Sequence, residues 1–276
     1  MPGRNLTVPG ADLYYEIRGT GPVLLIGSSG DGDANQLDQL VTELVDRFTV
    51  VTYDRRGLRR SVLRDTCAPI SIAEHADDAY RLLDAVADGP AAMLGCSTGA
   101  LIGLHLVAPH PDALSVLVAH EPPVPQVLPP DERASARRIL DDLHATYRRD
   151  GWLTAVRTMG DALGIDPATQ ELEPGATPAP ITPDRAAGFA FLLDREIPAI
   201  VRETVDTTAL LAAGTRIVPA HGNATPARVF HRRCVEELGA LVGAPTVDFP
   251  GGHNGGLTHP RAFADRVVTL LAGIRP

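Results

Sequence analysis

Two kinds of apolar pattern alternate along this chain. Runs of consecutive, mostly apolar residues predict strands buried on both faces; they cover residues 23–26, 48–53, 91–94, 114–119, 215–220 and 246–249. Apolar residues that recur every three or four positions predict amphipathic helices; these stretches cover residues 35–47, 71–87, 131–149, 152–163, 226–242 and 260–273. Residues 13–17 alternate between apolar and polar, which is typical of a half-exposed strand.

Alternating strands and helices with fully apolar strands indicate an α/β protein with a doubly wound, mostly parallel sheet. Ligands of such sheets bind beyond the carboxyl ends of the strands. Residues 122–205 lack a strand pattern and contain proline-rich and arginine-rich stretches, so we predict an inserted helical cap there. Residues 1–121 and 206–276 would then form the core.

The most informative segment is Gly95-Cys96-Ser97-Thr98-Gly99, which lies between the apolar run 91–94 and a second apolar stretch, 100–106. A G-x-S-x-G pattern between a strand and a helix predicts a nucleophile elbow, a sharp turn that exposes the serine at the helix N-terminus. The helix dipole and free N–H groups there favour developing negative charge. The alternative is an ordinary turn bounded by glycines.

Composition narrows the classes of function. The 276 residues are 44% hydrophobic and carry a net charge of −9 with no lysine, which argues against nucleic acid as a partner. The N-terminal residues lack an apolar signal segment, and no run approaches a membrane span, so no membrane partner is expected. Three widely spaced cysteines, Cys67, Cys96 and Cys234, suggest reduced thiols in a cytoplasmic protein rather than disulfides or a metal site.

The order of these elements resembles the α/β-hydrolase superfamily over nearly the whole chain. The residues that carry the resemblance are the elbow at 95–99, the Tyr53-Asp54-Arg55-Arg56-Gly57 segment and the late Pro250-Gly251-Gly252-His253 segment. In that family a histidine in the loop after the last strand points at the elbow serine, which implies that His253 is the base that activates Ser97. A serine hydroxyl needs such a base before it becomes a nucleophile. No metal and no cofactor is implied.

The triad acid departs from the common family pattern. The family usually places an aspartate after the strand that corresponds to 217–220, but residues 222–226 contain no carboxylate. Glu121 directly follows the 114–119 strand, in a His-Glu-x-Pro segment similar to that of zearalenone-type lactone hydrolases, and we predict that it is the acid. Asp206 is the reserve candidate, although we expect it to cap a helix, and Asp248 is a second reserve. Glu121 could instead be a solvated residue at the cap hinge.

Two backbone N–H groups are needed for the oxyanion of an acyl-transfer intermediate. We expect one from Thr98 and the other from Ser29, with Gly30 as the alternative. The same glycine-rich loop, 27–32, does not match a phosphate-binding loop, since the spacing and the lysine are missing. Four apolar side chains of the predicted cap could contact substrate or could simply form the core of the cap: Trp152, Met159, Phe189 and Phe191.

These features predict a cofactor-independent serine hydrolase that cleaves a small-molecule carboxylic ester or lactone. A carbon–carbon bond hydrolase, a non-hydrolytic tailoring enzyme and a ligand-binding sensor remain as alternatives on the same scaffold. Haloalkane dehalogenases and epoxide hydrolases need an aspartate at the elbow, where this chain has Ser97. The Asp54-Arg55-Arg56-Gly57 segment could anchor a carboxylate substrate, but we expect a structural turn in which Asp54 is paired internally.

Overall fold

The computed structural model describes residues 3–177 and 180–272. The sheet contains nine strands. They are β1 (Arg4–Val8), β2 (Ala11–Arg18), β3 (Val23–Gly27), β4 (Thr49–Tyr53), β5 (Val62–Leu63), β6 (Ala91–Cys96), β7 (Leu114–His120), β8 (Arg216–Gly222) and β9 (Val247–Phe249). Their order is β1-β2-β4-β3-β6-β7-β8-β9, with the short β5 paired to β2.

Six strands form the parallel part of the sheet. Strands β4, β3, β6, β7, β8 and β9 pair in parallel, whereas β1, β2 and β5 are joined by antiparallel pairings at the other edge. From β3 the chain moves outward to β4, then crosses back past β3 to β6 and continues outward through β7 and β8 to β9, which is a doubly wound topology. The predicted α/β fold with a mostly parallel sheet is confirmed; β1 and β5 were not anticipated.

Helices cover both faces of the sheet. They are α1 (Asp38–Leu44), α2 (Ile72–Val86), α3 (Thr98–Val107), α4 (Pro130–Asp150), α5 (Trp152–Leu163), α6 (Pro183–Phe191), α7 (Ile197–Arg202), α8 (Thr207–Ala212), α9 (Phe230–Val242), α10 (Gly255–Thr258) and α11 (Pro260–Leu271). A 3₁₀ turn covers Pro125–Val127, and a π-helical segment, Leu192–Glu196, joins α6 to α7.

The predicted helix over 35–47 was too long at its N-terminal end. Asp33 accepts a hydrogen bond from the Asn35 N–H at 2.7 Å, which forms a turn instead of a helix. Leu37 has φ −109° and ψ 33°, so the helix begins only at Asp38. The helix predicted over 226–242 likewise begins later, at Phe230.

Between β7 and β8, the described residues form helices and turns but no strand. We call the described part of residues 122–205 the cap segment. Its buried side chains, such as Leu140 and Leu193, belong to the same apolar cluster as Leu25 and Met93 of the sheet. The cap segment is therefore packed against the core, while the boundaries at 122 and 205 remain a prediction.

Strand register brings three loops to one edge of the sheet. Cys96 at the end of β6 pairs with His120 of β7, and His120 pairs with Ala220 of β8. Gly222, the last residue of β8, pairs with Phe249 at the end of β9. The residues that directly follow these strands are therefore neighbours in space although they are far apart in sequence.

Candidate active site

Ser97 occupies a strained turn between β6 and α3. Its φ of 52° and ψ of −116° lie outside the regions that strands and helices use. The flanking glycines make the turn possible, because a Cβ atom on Gly95 would lie 2.5 Å from Ala100 Cα, and one on Gly99 would collide with the Gly27 carbonyl. Strain of this kind is kept at functional sites when the surroundings enforce it. The strand, turn and helix expected around the serine are all present.

The main chain around Ser97 leaves a donor free for a ligand. The Ser97 N–H donates to the His120 carbonyl at 2.8 Å, which ties the elbow to the end of β7. The Ser97 carbonyl accepts the N–H groups of Ala100 and Leu101. Thr98 is the first residue of α3, so its N–H has no carbonyl to bond within the helix. This is the first of the two predicted oxyanion donors.

Glu121 follows β7 directly and is fully buried. Its backbone is also strained, with φ 49°, and its N–H donates to the Ala220 carbonyl at 2.9 Å. One carboxylate oxygen, Oε1, accepts the Gly222 N–H at 2.9 Å, and the other, Oε2, lies 2.6 Å from His253 Nδ1. Glu121 is therefore not a solvated hinge residue.

The surroundings of Glu121 favour its ionised carboxylate. Burial alone would raise the pKa of Glu121, but the hydrogen bond and the charge of His253 hold that pKa well below its usual range. A carboxylate accepts but does not donate, so His253 carries its proton on Nδ1 and leaves Nε2 as the basic nitrogen. The pair can therefore fix the tautomer that a serine-activating histidine needs.

The loop that carries His253 lies against the end of β8. A Cβ atom on Gly222 would lie 2.5 Å from the backbone of Gly252, so the two segments approach closely because residue 222 is a glycine. Gly251 has φ 79°, a conformation that suits glycine. His253 itself is buried. Among the hydrogen bonds of residues 3–177 and 180–272, none joins the Ser97 hydroxyl to His253.

The two reserve acids are used elsewhere. Asp206 is the N-cap of α8 and accepts the Ala209 N–H at 2.9 Å, as its capping role predicted. The Asp248 carboxylate is exposed and lies 3.5 Å from His221. Within the described part of the chain, neither of them contacts His253. Glu121 is the carboxylate that does.

The loop at residues 28–30 begins beside the elbow, because Gly27 of β3 pairs with Gly95 of β6. Ser28 is buried, and Ser29 and Gly30 are half-buried. The Arg55 guanidinium binds the carbonyls of all three loop residues, Ser28, Ser29 and Gly30, at 2.9–3.1 Å. The second predicted oxyanion donor, Ser29, thus lies in a loop whose carbonyls accept hydrogen bonds from Arg55.

The charged residues at 54–56 are paired inside the protein. The buried Asp54 carboxylate accepts the Ala34 N–H at 2.8 Å and pairs with Arg60 at 2.7 Å. Arg56 pairs with Asp78 through two nitrogens, at 2.6 and 2.7 Å. The expectation of a structural turn rather than a substrate anchor is confirmed.

The four apolar residues predicted to contact substrate lie on cap-segment helices and are half-buried. Trp152, Met159 and Phe189 pack against the main apolar cluster. Phe191 lies against the 54–57 turn, since a Cβ atom on Gly57 would be 2.8 Å from its ring. These positions suit both the substrate-contact and the cap-core interpretation, so the substrate role stays a prediction.

Two site residues escaped the sequence analysis. His231 in the first turn of α9 packs edge-on against His253, with ring centroids 5.0 Å apart. Burial first, and then the charge of His253, lower the pKa of His231 well below its usual value. Glu196, in the π-helical segment, binds Arg55. No local motif marks either residue, because each acts through a partner distant in sequence.

Neither a metal site nor a membrane-spanning helix occurs in the described part of the chain. No group of three or more His, Cys, Asp or Glu residues in 3–177 and 180–272 is arranged to hold a metal ion. No helix in the same residues is both long and apolar enough to cross a bilayer. All three cysteines have free thiols; Cys67 is exposed, and Cys96 and Cys234 are buried.

The parallel sheet, the strained elbow serine and the histidine after the last strand are the features of an α/β hydrolase. A family model described as "alpha/beta hydrolase fold" matches residues 22–174. The uncharacterized hydrolase YraK of Bacillus subtilis (strain 168) is 33% identical over 270 residues, which cover 96% of this chain and 94% of that protein. The chain therefore belongs to the α/β-hydrolase fold family.

Solved structures agree with this assignment. The crystal structure of an α/β hydrolase from Sphaerobacter thermophilus is similar with a TM-score of 0.70 and 26% identity, covering 97% of this chain and 100% of that one. The enol-lactonase from Burkholderia xenovorans LB400 is similar with a TM-score of 0.70 and 20% identity, covering 98% of this chain and 100% of that one. At that identity the second likeness supports the fold alone.

Proposed function

We propose that this protein is a serine hydrolase that cleaves a carboxylic ester or lactone through Ser97, His253 and Glu121. The observation that carries the proposal is the buried 2.6 Å contact between His253 Nδ1 and the Glu121 carboxylate, one strand away from a strained elbow serine. A protein that only binds a ligand has no need of a histidine held in one tautomer beside such a serine.

The proposed reaction follows from the geometry. Ser97 Oγ attacks the carbonyl carbon while His253 Nε2 takes the hydroxyl proton, and Glu121 balances the charge of the imidazolium. The N–H groups of Thr98 and Ser29, or of Gly30, donate to the oxyanion. As the tetrahedral intermediate collapses, His253 returns the proton to the departing alkoxide and the acyl group stays on Ser97.

The acyl-enzyme is then hydrolysed by the same groups. His253 removes a proton from water, the hydroxide attacks the acyl carbon, and the proton passes to Ser97 as the acid is released. A lactone gives the same steps, except that the alcohol remains tethered to the acyl group. The place of Glu121 directly after β7, in a His-Glu-x-Pro segment similar to that of zearalenone-type lactone hydrolases, supports including lactones. The half-buried apolar residues of the cap segment, including Trp152 and Phe189, support an apolar substrate.

The proposal is tested with a fluorophosphonate probe and p-nitrophenyl esters of increasing chain length. We expect covalent labelling and ester turnover in the natural protein, and loss of both in Ser97→Ala, with kcat lower by on the order of 10⁴–10⁶. Labelling without turnover on esters or lactones would move the proposal to carbon–carbon bond substrates. If the probe does not label the protein and the esters are not turned over, the protein is not an acyl-transfer enzyme.

A further inference from the structure

Resting on the proposed function, we propose that Arg55 and Glu196 are positioning residues that orient the N–H groups of Ser29 and Gly30 toward the oxyanion and make that orientation depend on the cap segment. Neither residue need touch the substrate. The argument has three steps: how Arg55 is bound, what its contacts do to the loop peptides, and what fixes Glu196.

Arg55 uses its guanidinium on two targets at once. Nε and Nη2 donate to the two carboxylate oxygens of Glu196 at 2.8 and 2.9 Å. Nη1 donates to the carbonyls of Ser28 and Ser29 at 3.0 and 2.9 Å, and Nη2 also reaches Gly30 at 3.1 Å. Both side chains of the ion pair are buried, with exposures of 1% and 0%. A guanidinium in the interior holds such a fixed fork far better than a lysine could.

These carbonyl contacts determine where the loop N–H groups point. A trans peptide is planar, so its carbonyl and its N–H face opposite directions; no cis peptide occurs in the described residues. The Ser28 carbonyl faces Arg55, so the N–H of the same peptide, which belongs to Ser29, points away from Arg55. The Ser29 carbonyl fixes the N–H of Gly30 in the same way. Neither N–H donates to a backbone carbonyl within the described residues.

Glu196, the partner of Arg55, belongs to the cap segment. Glu196 ends the π-helical segment, in which the Ile197 N–H bonds the Leu192 carbonyl five residues back. Pro198, the next residue, has no N–H to continue the ordinary α-helical bonding. π-Helical turns of this kind are rare and occur often at functional sites. The local change of helical register therefore decides where the Glu196 carboxylate lies.

Further contacts press the same cap elements against the loop. A Cβ atom on Gly30 would collide with the Leu192 side chain, and one on Gly188 of α6 would lie 2.7 Å from the Asp31 carbonyl. Arg185 pairs with the buried Asp31 at 2.6 Å. The loop is thus enclosed between Arg55 and the cap segment, so a shift of the cap would move the oxyanion donors.

The next residue in the sequence, Arg56, provides a matched control. Arg56 forms the same kind of buried two-point pair with Asp78 of α2, but its other contacts are Glu74 and the Pro9 carbonyl. Breaking either pair removes a buried ion pair and lowers stability. Of the two arginines, only Arg55 donates hydrogen bonds to residues 28–30. A comparison of variants of the two ion pairs therefore separates loss of loop positioning from general loss of stability.

The experiment measures kcat and KM on a p-nitrophenyl ester for Arg55→Lys, Glu196→Gln and the control Asp78→Asn, each normalised to the folded fraction from near-UV circular dichroism. We expect kcat to fall about 10–100-fold in the first two with KM within about 3-fold, as when an interaction made only in the transition state is weakened. Inhibition by a trifluoromethyl ketone, which forms an oxyanion on Ser97, should weaken by the same factor. Asp78→Asn should change kcat less than about 2-fold.

A second readout does not need activity. Amide hydrogen exchange followed by mass spectrometry should rise in the peptide covering residues 28–33 in both Arg55 and Glu196 variants. In Asp78→Asn it should rise in the peptide covering 72–86 and stay unchanged in 28–33. Unchanged kcat and unchanged exchange at 28–33 would overturn the positioning role, as would an equal fall of kcat in Asp78→Asn. If the natural protein neither labels nor turns over esters, the proposed function fails, and the exchange result still decides whether Arg55 orders the loop.

Discussion

The residues of the candidate active site and the cap segment are fixed by different kinds of contact. Ser97 and Glu121 are held mainly by main-chain bonds at the ends of adjacent strands, from the Ser97 N–H to His120 and from the Glu121 N–H to Ala220. The cap segment is attached by packing and by side-chain ion pairs such as Arg55–Glu196. A candidate site built on strand register tolerates sequence variation in the cap segment, whereas the docking of the cap segment depends on individual side chains.

This difference has an energetic meaning. Main-chain bonds at a strand end are supported by the whole parallel ladder, so one side-chain substitution does not move them. A buried ion pair, in contrast, is lost when either partner is replaced, and the remaining charge is left unpaired in the interior. We expect changes at the strand ends to act on chemistry and changes in the cap segment to act on positioning and affinity.

The largest expected effect tests the strand-end acid. Glu121→Gln should lower kcat by on the order of 10²–10⁴, because the amide no longer holds His253 in its basic tautomer or balances the imidazolium charge. The measurement is steady-state turnover of a p-nitrophenyl ester. Asp206→Asn is the control, since asparagine is also a good N-cap, and it should change kcat less than about 2-fold. Turnover of Glu121→Gln close to that of the natural protein would remove Glu121 from the triad.

The next effect tests the elbow itself. Gly99→Ala places a methyl group against the Gly27 carbonyl, where backbone on both sides prevents relief. We expect a loss of about 3 kcal/mol or more in the free energy of unfolding, which corresponds to roughly 6–12 °C in Tm. Gly214→Ala is the control, because nothing lies within 4 Å of the added atom. Equal melting temperatures for the two variants would contradict the tight approach of β3 and α3.

The strand-end features were accessible from sequence because they follow from local pattern. The glycines of the elbow, the apolar run of β6 and the position of His253 after the last strand each left a signal along the chain. Glu121 could be proposed because residues 222–226 lack a carboxylate and because it directly follows the predicted strand next to that of the serine. Glu196 and His231 could not be proposed, since their partners, Arg55 and His253, are respectively 141 and 22 positions away and are met only after folding.

The π-helical segment illustrates the same limit. The spacing of Phe189, Phe191, Leu192 and Ile197 predicts a helix, and α6, the π-helical segment and α7 are present there. The change of register at Leu192–Glu196 depends on Pro198 and on the burial of the Glu196 carboxylate against Arg55, which periodicity does not reveal. The antiparallel β1 was missed for a related reason, because its pattern of exposed and buried residues is weak.

A smaller expected effect is the pH dependence of the free energy of unfolding, which a buried histidine of the core causes. His120 lies under the site between Phe249 and Phe263, and burial lowers its pKa to about 4. The unfolded chain takes up this proton near pH 6.5 and the folded one does not, so the stability that His120 contributes is complete above pH 6.5 and is lost as the pH falls toward 4. Between pH 7.5 and 5.0 this amounts to about 2 kcal/mol.

Urea unfolding of the natural protein and His120→Leu at both pH values measures this loss. We expect the natural protein to lose about 2 kcal/mol more than the variant between pH 7.5 and 5.0. Part of the remaining acid sensitivity should come from His231, His105 and His110, because burial lowers the pKa of each in the same direction. The same pH dependence in both proteins would mean that His120 takes up its proton without unfolding.

The smallest expected effect concerns the cap segment. Trp152→Ala should raise KM for p-nitrophenyl octanoate about 10-fold and change KM for the acetate and kcat for either ester less than about 3-fold, because removing an apolar contact weakens ground state and transition state equally. Leu153→Ala, one position along the same helix, is the control, since Leu153 is 43% exposed and should leave KM for both esters unchanged. A lower Tm with unchanged KM for the octanoate would instead make Trp152 part of the cap core. An equal rise of KM for both esters would point to a shift of the whole cap segment, and the 28–33 peptide should then also exchange faster.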